Sequence, residues 1–131
     1  MKKRGQQRLG ERELDIMTVL WQRKNATVTE VRQALLSQGH KLAYTTIQTM
    51  LNRLEGKALV ARDSSDRTHR YRPLLKEPIA VSGALRRLTD RFFSGSVEAL
   101  AVRLVESELS REQLERIQAL IDGHKRKESA R

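Results

Sequence analysis

Tyr44-Thr-Thr-Ile-Gln-Thr-Met-Leu-Asn-Arg-Leu54 is the stretch that decides the fold. It sits in a periodic segment running from Leu42 to Ala58. At 3.6 residues per turn, Ala43, Ile47, Met50, Leu51 and Leu54 share one face of a helix. Thr45, Gln48, Thr49, Asn52 and Arg53 fall largely on the other, with Tyr44 and Thr46 beside them at the start. A solvated helix face usually mixes Glu with Lys. This one is short-chained, polar and almost free of acids, so it suits a surface that meets an anion.

Downstream, Leu59-Val-Ala-Arg62 predicts a short strand, Asp63 to Thr68 a turn, and His69-Arg-Tyr-Arg72 a returning strand stopped by Pro73. The pair forms a β-hairpin with a basic tip and a basic return arm. An isolated two-stranded hairpin is marginal in water, so this one must lean on the helices before it. Upstream, Leu14, Met17, Val19, Leu20 and Trp21 predict a helix over Glu11 to Arg23, starting at Gly10-Glu11 and stopping at Asn25. Thr27 with Glu30 fits a capping box for a second helix. Val28, Val31, Ala34 and Leu35 form its apolar stripe, and Gly39 ends it.

Helix, helix, helix, hairpin is the order of a winged helix-turn-helix. In that fold the second helix crosses the DNA backbone and the third enters the major groove. The hairpin offers charge to phosphate. Thr can contact a thymine methyl, Gln and Asn can pair with adenine, and Arg can bond guanine bidentately. The candidate DNA contacts are therefore Tyr44, Thr45, Thr46, Gln48, Thr49, Asn52 and Arg53 on the helix, with Arg67, Arg70 and Arg72 on the hairpin. Tyr44 and Tyr71 are each suited to base stacking or to buried packing. Asp63 and Asp66 read as turn carboxylates that bond nearby backbone amides, and Trp21 as core.

The charge distribution agrees. The 131-residue chain carries a net charge of +10. Residues 1–73 hold 15 Lys+Arg against 7 Asp+Glu, whereas residues 74–131 hold 11 against 9. The attraction for an anion, nucleic acid above all, sits in the front half, helped by a basic arm at 1–8. There is no cysteine, which excludes a disulfide, a thiolate metal site or a cysteine nucleophile. His40, His69 and His124 lie far apart in the chain, and no glycine-rich phosphate loop or nucleophile motif occurs. The expectation is a non-enzyme with no metal and no cofactor. No apolar run approaches the ~18 residues of a membrane span, and no secretory signal follows the basic start. The expected compartment is the cytoplasm.

Leu74 to Pro78 is the expected boundary, dividing a head at 9–75 from a helical region at 76–123 and a frayed, charged tail at 124–131. Val81, Leu85, Leu88 and Phe92 make one stripe, and Ser94-Gly-Ser96 breaks it. Val97, Leu100, Ala101, Leu104 and Val105 make another. Ser110 and Gln113 cap a last helix that carries Leu114, Ile117, Leu120 and Ile121. Three short helices, each apolar on one side, cannot bury themselves singly. A homodimer assembled through Leu85, Leu88, Phe92, Leu100, Leu104, Leu114, Ile117 and Ile121 solves that problem. It also sets two reading helices on a two-fold axis, the geometry for an inverted-repeat operator. The other reading open at this point is a winged-helix protein-interaction module whose basic face docks an acidic partner, without sequence-specific DNA binding.

Four segments together resemble the penicillinase repressor family (BlaI/MecI/CopY type): Glu13-Leu-Asp-Ile-Met-Thr-Val-Leu-Trp21, Val28-Thr-Glu-Val-Arg32, Tyr44 to Leu54, and Tyr71-Arg-Pro73. The resemblance runs from about residue 9 to residue 122. It implies a winged-helix N-terminal domain, a helical dimerisation domain, palindromic operators and repression, often of β-lactam resistance genes. It further implies a membrane-bound sensor metalloprotease and cleavage in the dimerisation domain, which frees the two heads and removes the gain from tethering them. The chain departs from the pattern in two places. It lacks the cysteine motif of the copper-responsive branch. Where the penicillinase repressors carry an Asn-Phe cleavage bond, it carries Arg103-Leu104.

Overall fold

A computed structural model describes residues 8–65 and 67–130. Helices α1 (Glu11–Arg23), α2 (Val28–Ser37) and α3 (Tyr44–Gly56) come first. Strands β1 (Val60–Asp63) and β2 (Arg70–Pro73) follow, then helices α4 (Glu77–Phe92), α5 (Val97–Ser107) and α6 (Arg111–Ser129). The basic arm ahead of Arg8, and Asp66 in the turn, lie outside the described residues.

Local chemistry explains the helix ends. At the start of α1 the Gly10 backbone N–H donates to Glu13 Oε1 at 2.9 Å. The helix spans the expected residues and ends at Arg23, just before the Asn25 signal, where Lys24 turns into the left-handed region at φ 75°. The expected capping box of α2 forms: Glu30 N–H donates to Thr27 Oγ1 at 3.1 Å, and Thr27 N–H donates to Glu30 Oε1 at 3.0 Å. Gly39, at φ 90°, lets the chain leave α2 without strain. Ala58 takes φ 61° between α3 and β1, a conformation a Cβ-bearing residue adopts at some cost.

The hairpin is antiparallel, with Val60 opposite Pro73, Ala61 opposite Arg72, Arg62 opposite Tyr71 and Asp63 opposite Arg70. Both strands sit one residue later than the alternation predicts. Pro73 belongs to β2 rather than stopping it, since a strand end needs no donor from it. A third rung was not legible: Ala26 N–H donates to Tyr71 O at 2.9 Å and Tyr71 N–H to Ala26 O at 2.8 Å. The α1–α2 connection therefore caps the free edge of β2.

Contacts divide the chain into two compact units, Met1–Ala84 and Leu85–Arg131. The division falls inside α4 and not at residues 74–78, where Pro73 closes β2 and Pro78 opens a helix instead of a linker. Pro78 occupies the first turn of α4, where a missing N–H costs nothing. In the first unit Ile16, Met17, Leu20, Val31, Leu35, Ile47, Leu51, Leu54 and Tyr71 are wholly buried and form one core with Val19 and Val60. Leu14, expected on that face, is 45% exposed. Ile16 takes the inward position, with Glu13 one turn before it. Ala43 is exposed at the N-cap of α3, and Trp21 packs half-buried with its indole N–H donating to Leu75 O at 2.9 Å. Glu13 is 5% exposed and meets Lys57 Nζ at 3.3 Å, joining the start of α1 to the end of α3.

The second unit has a different balance. Of its described residues only Thr89 is buried, with its hydroxyl donating to Leu85 O at 2.7 Å. Ser96 caps α5 by accepting from Ala99 N–H, and Ser110 with Gln113 forms the expected capping box of α6. Helix α6 runs on to Ser129, through the segment expected to fray. Its final turns carry Arg126 and Lys127, cations that suit the negative end of a helix.

Candidate nucleic-acid interface

Helix α3 is clamped from behind by Ile47, Leu51 and Leu54, which are fully buried. That burial fixes its rotation, so Tyr44, Thr45, Thr46, Thr49, Asn52 and Arg53 all reach solvent. Its first turn holds no acid. The outward polar face anticipated from the wheel is present, and Gln48 lies at its margin, half-buried.

Gln48 does not hang free. Its Nε2 donates to the Tyr71 hydroxyl at 2.8 Å and to Asn52 Oδ1 at 3.0 Å. Tyr71 itself is wholly buried, so it packs and does not present its ring for stacking. It fastens the hairpin to α3 through that single polar tip. Strand alternation could have indicated this, because Tyr71 must face away from Arg70 and Arg72.

The hairpin cations have unequal surroundings. Arg67, in the turn, and Arg72, on β2, are exposed. Arg70 is half-buried and engaged: its Nε donates to Asn25 Oδ1 at 2.7 Å and its Nη2 to Glu30 Oε1 at 2.9 Å. Asn25 and Glu30 are thus supports for the basic strand, a role without a local sequence signal because the partners are 45 and 40 residues away. The Thr27 backbone N–H holds the Glu30 carboxyl below its ordinary range; burial opposes this, and Arg70 and Arg23 reinforce it. At the hairpin tip, Ser65 N–H donates to Asp63 Oδ1 at 2.9 Å, the turn role expected of that residue, and holds its carboxyl low as well.

The remaining candidates lie in the second unit. Leu85, Leu88, Phe92, Leu104, Ile117 and Ile121 are exposed, Phe92 by 76%, while Leu100 and Leu114 are half-buried. Arg103 and Leu104 sit in the middle of α5, with the Arg103 guanidinium 5.9 Å from the centre of the Phe93 ring. Among the described residues no three His, Cys, Asp or Glu side chains gather as metal ligands, and no helix is long and apolar enough to cross a membrane.

Comparison with known proteins agrees with the geometry. The family model described as penicillinase repressor matches residues 9–123. The chain is 42% identical over 104 residues to the transcriptional regulator BlaI of Mycobacterium tuberculosis, covering 76% of this chain and 72% of that one. It is 20% identical over 116 residues to the penicillinase repressor of Staphylococcus aureus, covering 88% and 91% respectively. A MarR family protein from Bacillus stearothermophilus shares the fold, with a TM-score of 0.55, 20% identity, and coverage of 94% of this chain and 77% of that one. Three helices and a hairpin in this arrangement are a winged helix-turn-helix. The chain belongs to the penicillinase repressor family of DNA-binding transcriptional repressors, and it is not an enzyme.

Proposed function

We propose that this protein represses transcription as a homodimer bound to an inverted-repeat operator, reading bases with α3 and gripping phosphates with the hairpin. The observation that carries the proposal is the outward polar face of α3, whose first turn holds no acid, beside exposed Arg67 and Arg72. Tyr44, Thr45, Thr46, Gln48, Thr49, Asn52 and Arg53 meet the groove. Arg67 and Arg72 meet phosphates, and Arg70 holds the strand in place while adding charge at the same rim. The basic arm at 1–8 extends the phosphate contacts.

Pairing is supported by the second unit. Its helices leave Leu85, Leu88, Phe92, Leu104, Ile117 and Ile121 exposed. Burying each such side chain contributes about 1.5–3 kcal/mol, a gain that a second copy of the same helices supplies. The name of the Staphylococcus aureus relative, penicillinase repressor, supports control of β-lactam resistance genes, and repression of transcription fits a place in the cytoplasm. Release by a membrane sensor metalloprotease at Arg103-Leu104 would need α5 to unwind locally first, since proteases act on extended backbone and this bond is helical.

The test is selection from random double-stranded oligonucleotides with the purified chain, followed by sequencing. Enrichment of a palindrome is the expected result. Retention of DNA without enrichment, or binding only to an acidic protein, would show that the basic face is a general docking surface.

A further inference from the structure

We propose that the Tyr71 hydroxyl sets the base preference of α3 by holding Gln48 as a pure acceptor and, through it, orienting Asn52. This rests on α3 being the groove helix. A primary amide clamps adenine by offering its oxygen and one N–H together. Gln48 has two N–H groups, and both are spent within the chain. One goes to the Tyr71 hydroxyl at 2.8 Å, the other to Asn52 Oδ1 at 3.0 Å. Only Oε1 of Gln48 is left for a base. Asn52, whose Oδ1 is already shared, has its Nδ2 donor to offer.

Magnitudes decide whether this arrangement survives in water. An amide pair four residues apart on an exposed helix is weak while both side chains are free, and gains when one of them is already held in place. The bond to Tyr71 is different. Its ring is wholly buried. Its backbone N–H and C=O are both bonded to Ala26, at 2.8 and 2.9 Å, and its strand is paired with β1 on the other edge. The hydroxyl is therefore a fixed point against which the flexible Gln48 side chain is set. Tyr71 is a positioning residue: it touches no base, yet it removes one of the two donors that Gln48 would use.

The base facing Gln48 is then one that donates an amino group in the major groove. Adenine N6 and cytosine N4 both qualify. An acceptor alone cannot tell them apart, whereas a free glutamine favours adenine through the second bond to N7. Freeing one donor of Gln48 should convert a tolerant position into an adenine position.

The experiment is the same random-duplex selection, run with the full chain and with Gln48→Ala, Tyr71→Phe and Asn52→Ala. Gln48→Ala identifies the base pair in each half-site that Gln48 governs. There the unmodified chain is expected to accept adenine and cytosine within about threefold. Tyr71→Phe and Asn52→Ala are each expected to favour adenine there by about tenfold, the effect of a gained bidentate pair, with half-site spacing unchanged. Asn52 is exposed, so its variant keeps the test alive if Tyr71→Phe fails to fold. A tenfold adenine preference already present in the unmodified chain would overturn the inference. So would variant profiles identical to it at that position, while the operator reading would stand. Absence of any enriched motif with the unmodified chain would remove both.

Discussion

Glu30 shows how much one side chain of a winged helix can do. It closes the capping box of α2 with Thr27, accepts from Arg70 at 2.9 Å and lies 3.8 Å from Arg23. Its carboxyl ionises more readily in the folded chain than its ordinary value of 4.5. A group with a depressed folded pKa adds stability above the unfolded value and loses it as pH falls through the folded one. Glu30→Gln keeps the capping geometry but not the charge. It is expected to cost about 0.5–1 kcal/mol at pH 7, with the gap closing towards pH 3. Denaturant unfolding at the two pH values checks this, and a gap that is equal at both would assign the effect to packing. Arg53, exposed on the outer face of α3, carries a prediction on binding. Arg53→Ala should cost about 1–3 kcal/mol on the selected operator and little on random duplex. Equal losses on both, in a competition assay, would make it a phosphate contact.

At the scale of elements the hairpin is where local and distant information part. Helix order, both Ser/Thr capping boxes and the existence of the hairpin were legible because each rests on neighbours a few residues apart. The rung between Ala26 and Tyr71, the Arg70 bonds to Asn25 and Glu30, and the Gln48–Tyr71 bond join residues 23 to 45 positions apart. No short pattern encodes them. Leu14 failed for another reason: a helix with apolar residues at 14, 16, 17, 19, 20 and 21 has more than one plausible inward face, and packing against α2 and α3 chooses. The unequal environments of the hairpin cations yield a contrast. Arg72→Ala should weaken binding to all sequences alike and reduce the salt slope by about 1, with thermal stability unchanged. Arg70→Ala should do the same and also lower the melting temperature, because Asn25 and Glu30 lose their partner. An unchanged salt slope for either would take that arginine out of the phosphate contacts.

At the scale of the molecule, the two units differ in kind. The first has a continuous apolar core; the second has good helix caps and open apolar faces. Caps and stripes made the second unit's helices legible, but a stripe does not say whether its cover comes from the same chain or another. Leu88→Asp and Leu104→Asp are expected to sediment as monomers and to bind the operator more weakly. An intact dimer in both would put the pairing surface elsewhere. Pairing through the bare faces of α4 to α6, as proposed, would also make dosage a variable. Where single chains predominate, paired chains follow the square of the total concentration, so a twofold dilution by growth without new synthesis thins the pairs about fourfold. A gene under such control answers steeply to how concentrated the regulator is, before any inducer arrives.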